Sequence, residues 1–118
     1  MIGRVSFTTI DATDPDRLAA FWGAILGTGV GETSDAGRFV FLREANGHVL
    51  GFQRVPESKS VKDRVHLDIR VEDLREATDT VAVLGGSWDG NELSLDDARW
   101  RTLHDPEGNE FDIFVTDQ

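Results

Sequence analysis

The feature of this sequence that most limits its fold is a weak internal duplication with an offset of 59 residues. Asp14 and Asp73 each precede a segment with helical apolar spacing, and Gly27 and Gly86 close those segments at the same offset. The chain has 118 residues, twice that offset. A repeated unit that cannot bury its own apolar face packs against a copy of itself. The duplication therefore predicts two similar modules that enclose a binding space between them.

Each half is predicted to hold one amphipathic helix among short strands. Pro15 suits the first helical turn after an Asp14 cap, and the apolar residues from Leu18 to Leu26 form one stripe. Alternation of apolar and polar residues makes 64–72 the clearest strand, and 89–91 reads as a turn. The predicted strands are 4–12, 38–44, 48–55, 64–72, 99–104 and 110–115, with a short one at Trp88.

These patterns predict an α+β fold of two β-α-β-β-β modules. Module one covers residues 1–57 and module two covers 63–118, with a polar linker over 56–63. A chain of this length is one domain, so we expect a single domain over 1–118.

Composition and charge exclude several kinds of chemistry. The chain has no cysteine, which excludes disulfides, thiolate metal sites and cysteine nucleophiles. A formal net charge of −10 argues against nucleic-acid binding, which needs a basic surface, and suits a cationic ligand. No apolar run approaches the roughly 20 residues of a membrane span. We therefore expect a cytoplasmic protein with no nucleic-acid or membrane partner.

Four segments resemble the glyoxalase/bleomycin resistance/dioxygenase superfamily, also called the vicinal oxygen chelate superfamily. They are 14–22, 51–56, 64–68 and 100–111, the last of which contains the turn DPEGN. The segments 51–56 and 64–68 resemble the small glyoxalase-like proteins in particular. The resemblance implies that the two modules pair to form a cup-shaped mixed sheet. It also implies a homodimer, and open sheet edges that a partner can cover agree with this.

The resemblance also implies where a ligand would bind. Superfamily members often hold a divalent metal in the cup, through side chains from the first and last strands of each module. The matching positions here are Phe7, Gln53, His66 and Asp112. Phe7 has no donor atom, so Gln53, His66 and Asp112 remain as an incomplete ligand set for a divalent metal. We therefore expect no resident cofactor, and we expect Trp100 to add an aromatic wall for the ligand.

Two functions of different class remain open. The first is a glyoxalase-like binding protein that holds a small organic molecule in the cup without a complete metal site. The second is a metal-dependent lyase or isomerase of the glyoxalase type, in which the bound ion polarises substrate oxygens and Asp112 or a water moves a proton. Phe7 favours the binding protein, because it removes one metal ligand. The sequence leaves the choice between enzyme and binding protein unresolved.

Overall fold

The chain divides, in a computed structural model, into two compact units, Met1–Ser58 and Lys59–Gln118. The structure describes residues 1–116, so residues 117–118 of the predicted second module lie outside the described residues. Each unit has one helix and one four-stranded mixed sheet. The predicted α+β class and the two β-α-β-β-β modules are confirmed. That both units form a single domain stays a prediction.

In the first unit, the strands lie in the order first, fourth, third, second, with the first parallel to the fourth and the other neighbours antiparallel. The helix begins at the predicted cap, where the Asp14 carboxylate accepts the Arg17 N–H at 3.2 Å, and ends at Gly27 with φ 71°. Trp22 on its apolar stripe is fully buried, as expected. The elements are β1 Thr8–Ala12, α1 Pro15–Leu26, β2 Val30–Ser34, β3 Phe39–Leu42 and β4 Leu50–Arg54.

The second unit repeats this order among its own four strands, and its first strand is again parallel to its fourth. Asp73 caps its helix by accepting the Glu76 N–H at 2.9 Å. Neither helix in residues 1–116 is long and apolar enough to span a membrane. The elements are β5 Asp68–Arg70, α2 Leu74–Val83, β6 Ser87–Leu95, β7 Ala98–His104 and β8 Glu110–Thr116.

Two strands are shorter than predicted. The predicted strand 4–12 begins only at Thr8, and the predicted strand 64–72 is reduced to Asp68–Arg70. Val5 and Val65, apolar residues within these two predicted strands, are 87% and 79% exposed. β4 begins at Leu50, the partner of Thr8, so β1 has no paired backbone further towards its amino end. β8 does begin two residues before the partner of Asp68, but there the Glu110 N–H donates to the Asp63 side chain and not to the backbone of the neighbouring segment. Apolar alternation alone therefore extended both predictions beyond the hydrogen-bonded ladders.

The predicted turn at 89–91 is wrong. These residues lie inside β6, whose pairing with β7 is irregular between Trp88 and Glu92. Gly90 has φ 99°, which suits a bulge within a strand. The hairpin turns instead at Asp96, which has φ 54°. A glycine next to Asp and Asn gives the same local signal in a bulge as in a turn.

The register of the two sheets shows that the offset between the halves varies. In the first unit, β1 residues pair with β4 residues 42 positions later, as in Thr8 with Leu50. In the second unit, β5 residues pair with β8 residues 44 positions later, as in Asp68 with Asp112. The difference is two residues, the period of a strand. Corresponding side chains in the two halves therefore lie on the same face of their own sheets, although their neighbours on the paired strand differ.

Candidate functional site

The second sheet has an apolar face towards α2 and a mixed face on the other side. Leu103 and Ile113 are buried, and Arg101, two residues before Leu103, donates to the Thr78 hydroxyl on α2. Alternate residues must point away from the helix. Asp112 is one of these, and strand register places Asp68 and Thr102 beside it on its two sides.

A histidine completes this polar group at the amino end of β5. The Nε2 atom of His66 lies 3.3 Å from Oδ2 of Asp112 and 3.5 Å from Oδ1 of Asp68. One donor atom from each of the three residues lies within 4.8 Å of the other two. The exposed fraction is 40% for the His66 side chain and 14% for that of Asp112. The structure thus brings together two predicted ligands, His66 and Asp112, and adds Asp68.

The surroundings orient one carboxylate and perturb the other. Thr102 donates its hydroxyl to Oδ1 of Asp112 at 2.7 Å, which leaves Oδ2 directed towards His66. Partial desolvation raises the pKa of Asp68; nearby His66 opposes this, whereas the charge and hydrogen bonding of Asp112 raise it further. Two acids beside one imidazole would be stabilised by a bound cation.

The donor chemistry of these three residues fits a divalent ion. Imidazole nitrogen and carboxylate oxygen are ligands for zinc and for harder divalent metals. The His66 Nε2 atom lies 3.3 Å and 3.5 Å from the carboxylate oxygens of Asp112 and Asp68, spacings that one ion can bridge at bond lengths of about 2.0–2.2 Å. Thr102 supplies the hydrogen bond that commonly orients a ligating carboxylate. Three protein ligands would leave positions open for water or a bound molecule.

Next to the polar group, the same face of the sheet carries several apolar side chains, and the Arg70 guanidinium lies 6.0 Å from the centre of the Phe114 ring. Trp100 pairs with Phe114 on β8 and with Leu93 on β6. Leu93 and Leu95 are 52% and 65% exposed. Trp100, the predicted aromatic wall, therefore lies two residues from Thr102 on the face that carries Asp112.

The two remaining predicted residues lie in the first unit. Phe7 precedes β1, is 53% exposed, and packs edge-on against Phe41 with ring centroids 5.2 Å apart. Gln53 lies on β4 between Asp11 and Phe39. Both belong to the first unit, whereas His66 and its two aspartates belong to the second.

The sequence matches a family model described as a glyoxalase-like domain over residues 7–114. The chain belongs to the glyoxalase-like family. Comparison with curated protein sequences finds no match. Solved structures share the fold of this glyoxalase-like protein at identities too low to carry more than the fold.

Three of these structures illustrate the likeness. A protein from Agrobacterium tumefaciens has TM-score 0.78 and 21% identity, with 99% of this chain and 100% of that one covered. Another is a mutant of the fosfomycin resistance protein FosX from Listeria monocytogenes, complexed with Mn(II) and 1S,2S-dihydroxypropylphosphonic acid. It has TM-score 0.78 and 18% identity, with 96% of this chain and 90% of that one covered. A glyoxalase/bleomycin resistance protein/dioxygenase family enzyme from Burkholderia phytofirmans has TM-score 0.71 and 21% identity, with 94% of this chain and 97% of that one covered.

Sequence reasoning missed Asp68 in this glyoxalase-like protein. The family pattern drew attention to His66, and Asp68 is two residues further along the same strand pattern. The signal was present, because residues two apart on a strand share a face. The pairing register of the strands, which the sequence pattern does not report, places Asp68 directly beside Asp112.

Proposed function

We propose that this glyoxalase-like protein binds a divalent metal ion through His66, Asp68 and Asp112 and uses it to hold an oxygen-bearing organic molecule. The observation that carries the proposal is the position of His66 Nε2, 3.3 Å from one carboxylate and 3.5 Å from the other. With Asp68, the set has two charged ligands and one imidazole, a stronger set than the sequence predicted. Phe7 and Gln53 are not needed for it.

The bound molecule would extend from the ion over the apolar part of the face. Trp100 and Phe114 form a cross-strand aromatic pair there, which would favour an aromatic or aliphatic group. The ligand class we propose has two adjacent oxygen atoms on an apolar body. When bound, the ion would act as a Lewis acid towards those oxygens, as a lyase or isomerase of the glyoxalase type requires.

A second candidate is binding of an organic molecule without a metal. Phe7, at a position where the superfamily carries a ligand, favours it. In that case the half-exposed His66 and the Asp112 carboxylate would bind polar or cationic groups of the guest directly, in keeping with the net charge of −10.

Calorimetric titration of the chelator-treated protein with Mn(II) and Zn(II) tests the first proposal. We expect one site per chain, with His66→Ala and Asp112→Asn each weakening affinity at least about tenfold, since the first removes a ligand and the second removes the charge of another. His48→Ala, which changes an exposed histidine in the first unit, is the matched control and should bind like the unchanged protein. Absence of binding, or equal affinity in all the variants, would contradict the metal proposal and leave the metal-free candidate.

The apolar part of the face is tested with two small chelators. Acetohydroxamate and benzohydroxamate present the same pair of oxygens, but only the second adds an aromatic ring. We expect the Mn(II)-loaded protein to prefer benzohydroxamate and Trp100→Ala to lose the preference. Trp100 is only half-buried, so its replacement should not unfold the protein, which circular dichroism checks. Equal affinity for both chelators in the unchanged protein would argue against an apolar ligand body.

A further inference from the structure

The histidine of the proposed metal site does not belong to a regular strand. His66 lies two residues before β5, in a segment whose neighbour Val65 is 79% exposed. Its own side chain is 40% exposed. Local packing therefore does little to hold this backbone, and its position depends on the attachments on either side of it.

The attachment before His66 is a reciprocal pair of hydrogen bonds. The Asp63 N–H donates to Oε2 of Glu110 at 3.0 Å, and the Glu110 N–H donates to Oδ2 of Asp63 at 3.0 Å. Lys59 adds an ion pair, with its Nζ 3.0 Å from Oε1 of Glu110. The side chains of Lys59 and Glu110 are only 19% and 13% exposed, so this pair is shielded from water.

The attachment after His66 is the ladder with β8. The Asp112 N–H donates to the Leu67 carbonyl at 2.9 Å. Glu110 and Asp112 are two residues apart on β8, so one strand holds both ends of the short segment 64–66 and also carries a ligand of the proposed site. Only three residues separate the two attachments.

We infer that Asp63 and Glu110 are positioning residues for His66: their reciprocal hydrogen bonds hold its backbone at the distance from β8 at which the imidazole meets Asp112. Neither residue contacts the proposed ion. The inference rests on the proposed function for its consequence in metal binding. Its structural part, the placement of His66, exists in the metal-free protein as well.

Two pairs of variants test the inference. Glu110→Ala and Asp63→Ala remove an acceptor, whereas Glu110→Gln and Asp63→Asn keep a side-chain oxygen for the backbone N–H. We expect the alanine variants to weaken Mn(II) affinity about tenfold or more, in the range seen for residues that orient metal ligands. The amide variants should restore a substantial part of that loss.

Glu92→Ala is the matched control. Glu92 also binds an arginine closely, with Oε1 2.9 Å from Nε of Arg101, but it lies on β6 and away from His66. This variant should be destabilised to a similar extent while keeping Mn(II) affinity within about twofold of the unchanged protein. Equal losses of affinity in Glu92→Ala and Glu110→Ala would show a general effect of stability and overturn the inference.

Nuclear magnetic resonance of the His66 imidazole in the metal-free protein separates this inference from the proposed function. The alanine variants at 63 and 110 should shift or broaden the His66 ring signals, and Glu92→Ala should leave them in place. If the unchanged protein binds no ion but the His66 signals respond in this way, the proposed function fails and the positioning role stands. Unchanged His66 signals in both alanine variants would overturn the positioning role.

Discussion

The carboxylate of Asp68 faces a second acid across the β5–β8 pair, with the His66 ring beside both. Partial desolvation raises the pKa of Asp68, and repulsion by the charge of Asp112 in register with it raises that pKa further, whereas His66 opposes both. In the proposed site, this repulsion in the free protein is what a cation relieves.

Asp68→Asn should therefore have opposite effects with and without metal. Without metal, the free energy of unfolding should rise slightly, by about 0.5 kcal/mol or less, because Asp68 is largely exposed. With excess Mn(II), the unchanged protein should gain stability through binding and the variant should gain much less. Thermal unfolding with chelator and with Mn(II) measures both. A variant stabilised by Mn(II) as strongly as the unchanged protein would mean that Asp68 is not a ligand.

Asp105 is a buried acid that accepts hydrogen bonds within a turn. It is 3% exposed and accepts hydrogen bonds from the N–H groups of Glu107 and Asn109 and from the Asn109 amide. The sequence analysis predicted the DPEGN turn here. The structure shows that the aspartate holds the turn from inside.

Asp105→Ala should lower the free energy of unfolding by about 2–4 kcal/mol, since it leaves several donors without an acceptor in a partly buried turn. Asp89→Ala is the matched control: Asp89 accepts similar bonds from Asn91, but in an exposed part of β6. The free energy of unfolding of Asp89→Ala should fall by less than about 1 kcal/mol. Chemical denaturation compares the two. Similar losses in both variants would contradict the importance of burial.

Among the elements, the start of β8 is held by ionised groups. Burial acts to raise the pKa of Glu110, but hydrogen bonds from the Asp63 N–H and from Lys59 outweigh it and lower that pKa from 4.5 to about 2. The pKa of Asp63 is raised, first by desolvation and then by the charge of Glu110. The contribution of Glu110 to stability is thus present above its ordinary pKa and is lost as pH falls towards about 2.

Glu110→Gln should therefore cost more stability at pH 7 than at pH 3. We expect the free energy of unfolding to fall by on the order of 1–3 kcal/mol at pH 7. This is less than the lowered pKa of Glu110 alone would give, because the pKa of Asp63 is shifted in the opposite direction. Urea denaturation at both pH values, in the presence of chelator, measures the difference. A loss that is equal at the two pH values would show that the charge of Glu110 does not matter.

At the same scale, the helices were predictable and two strand ends were not. Capping by Asp14 and Asp73 and the buried stripe around Trp22 are local signals, and the structure contains them. The start of β1 depends on where β4 begins, and the start of β5 depends on the Glu110 N–H being taken by the Asp63 carboxylate. Local alternation reports neither. The site was partly predictable for the same reason. His66 and Asp112 followed from the family pattern, whereas Asp68 required knowledge of the pairing register.

For the whole molecule, we expect a homodimer. Each four-stranded sheet ends in edge strands, and β2 has all five of its residues exposed. Edge strands of this kind are commonly covered by a partner. Light scattering coupled to size exclusion should give about twice the chain mass of 13.0 kDa. A mass of one chain at micromolar concentration would contradict the expectation.

The register difference between the sheets has a consequence for how duplicated proteins of this kind can diverge. The pairing interval of 42 residues in one unit and 44 in the other differs by an even number. An odd difference would turn the buried face of a strand to the outside, whereas an even one preserves it. Strands in the two halves can therefore slide in steps of two, exchanging the partners of a functional side chain without disturbing the core. Through such a step, an acid on the first strand of one half can come to stand beside the acid on its last strand.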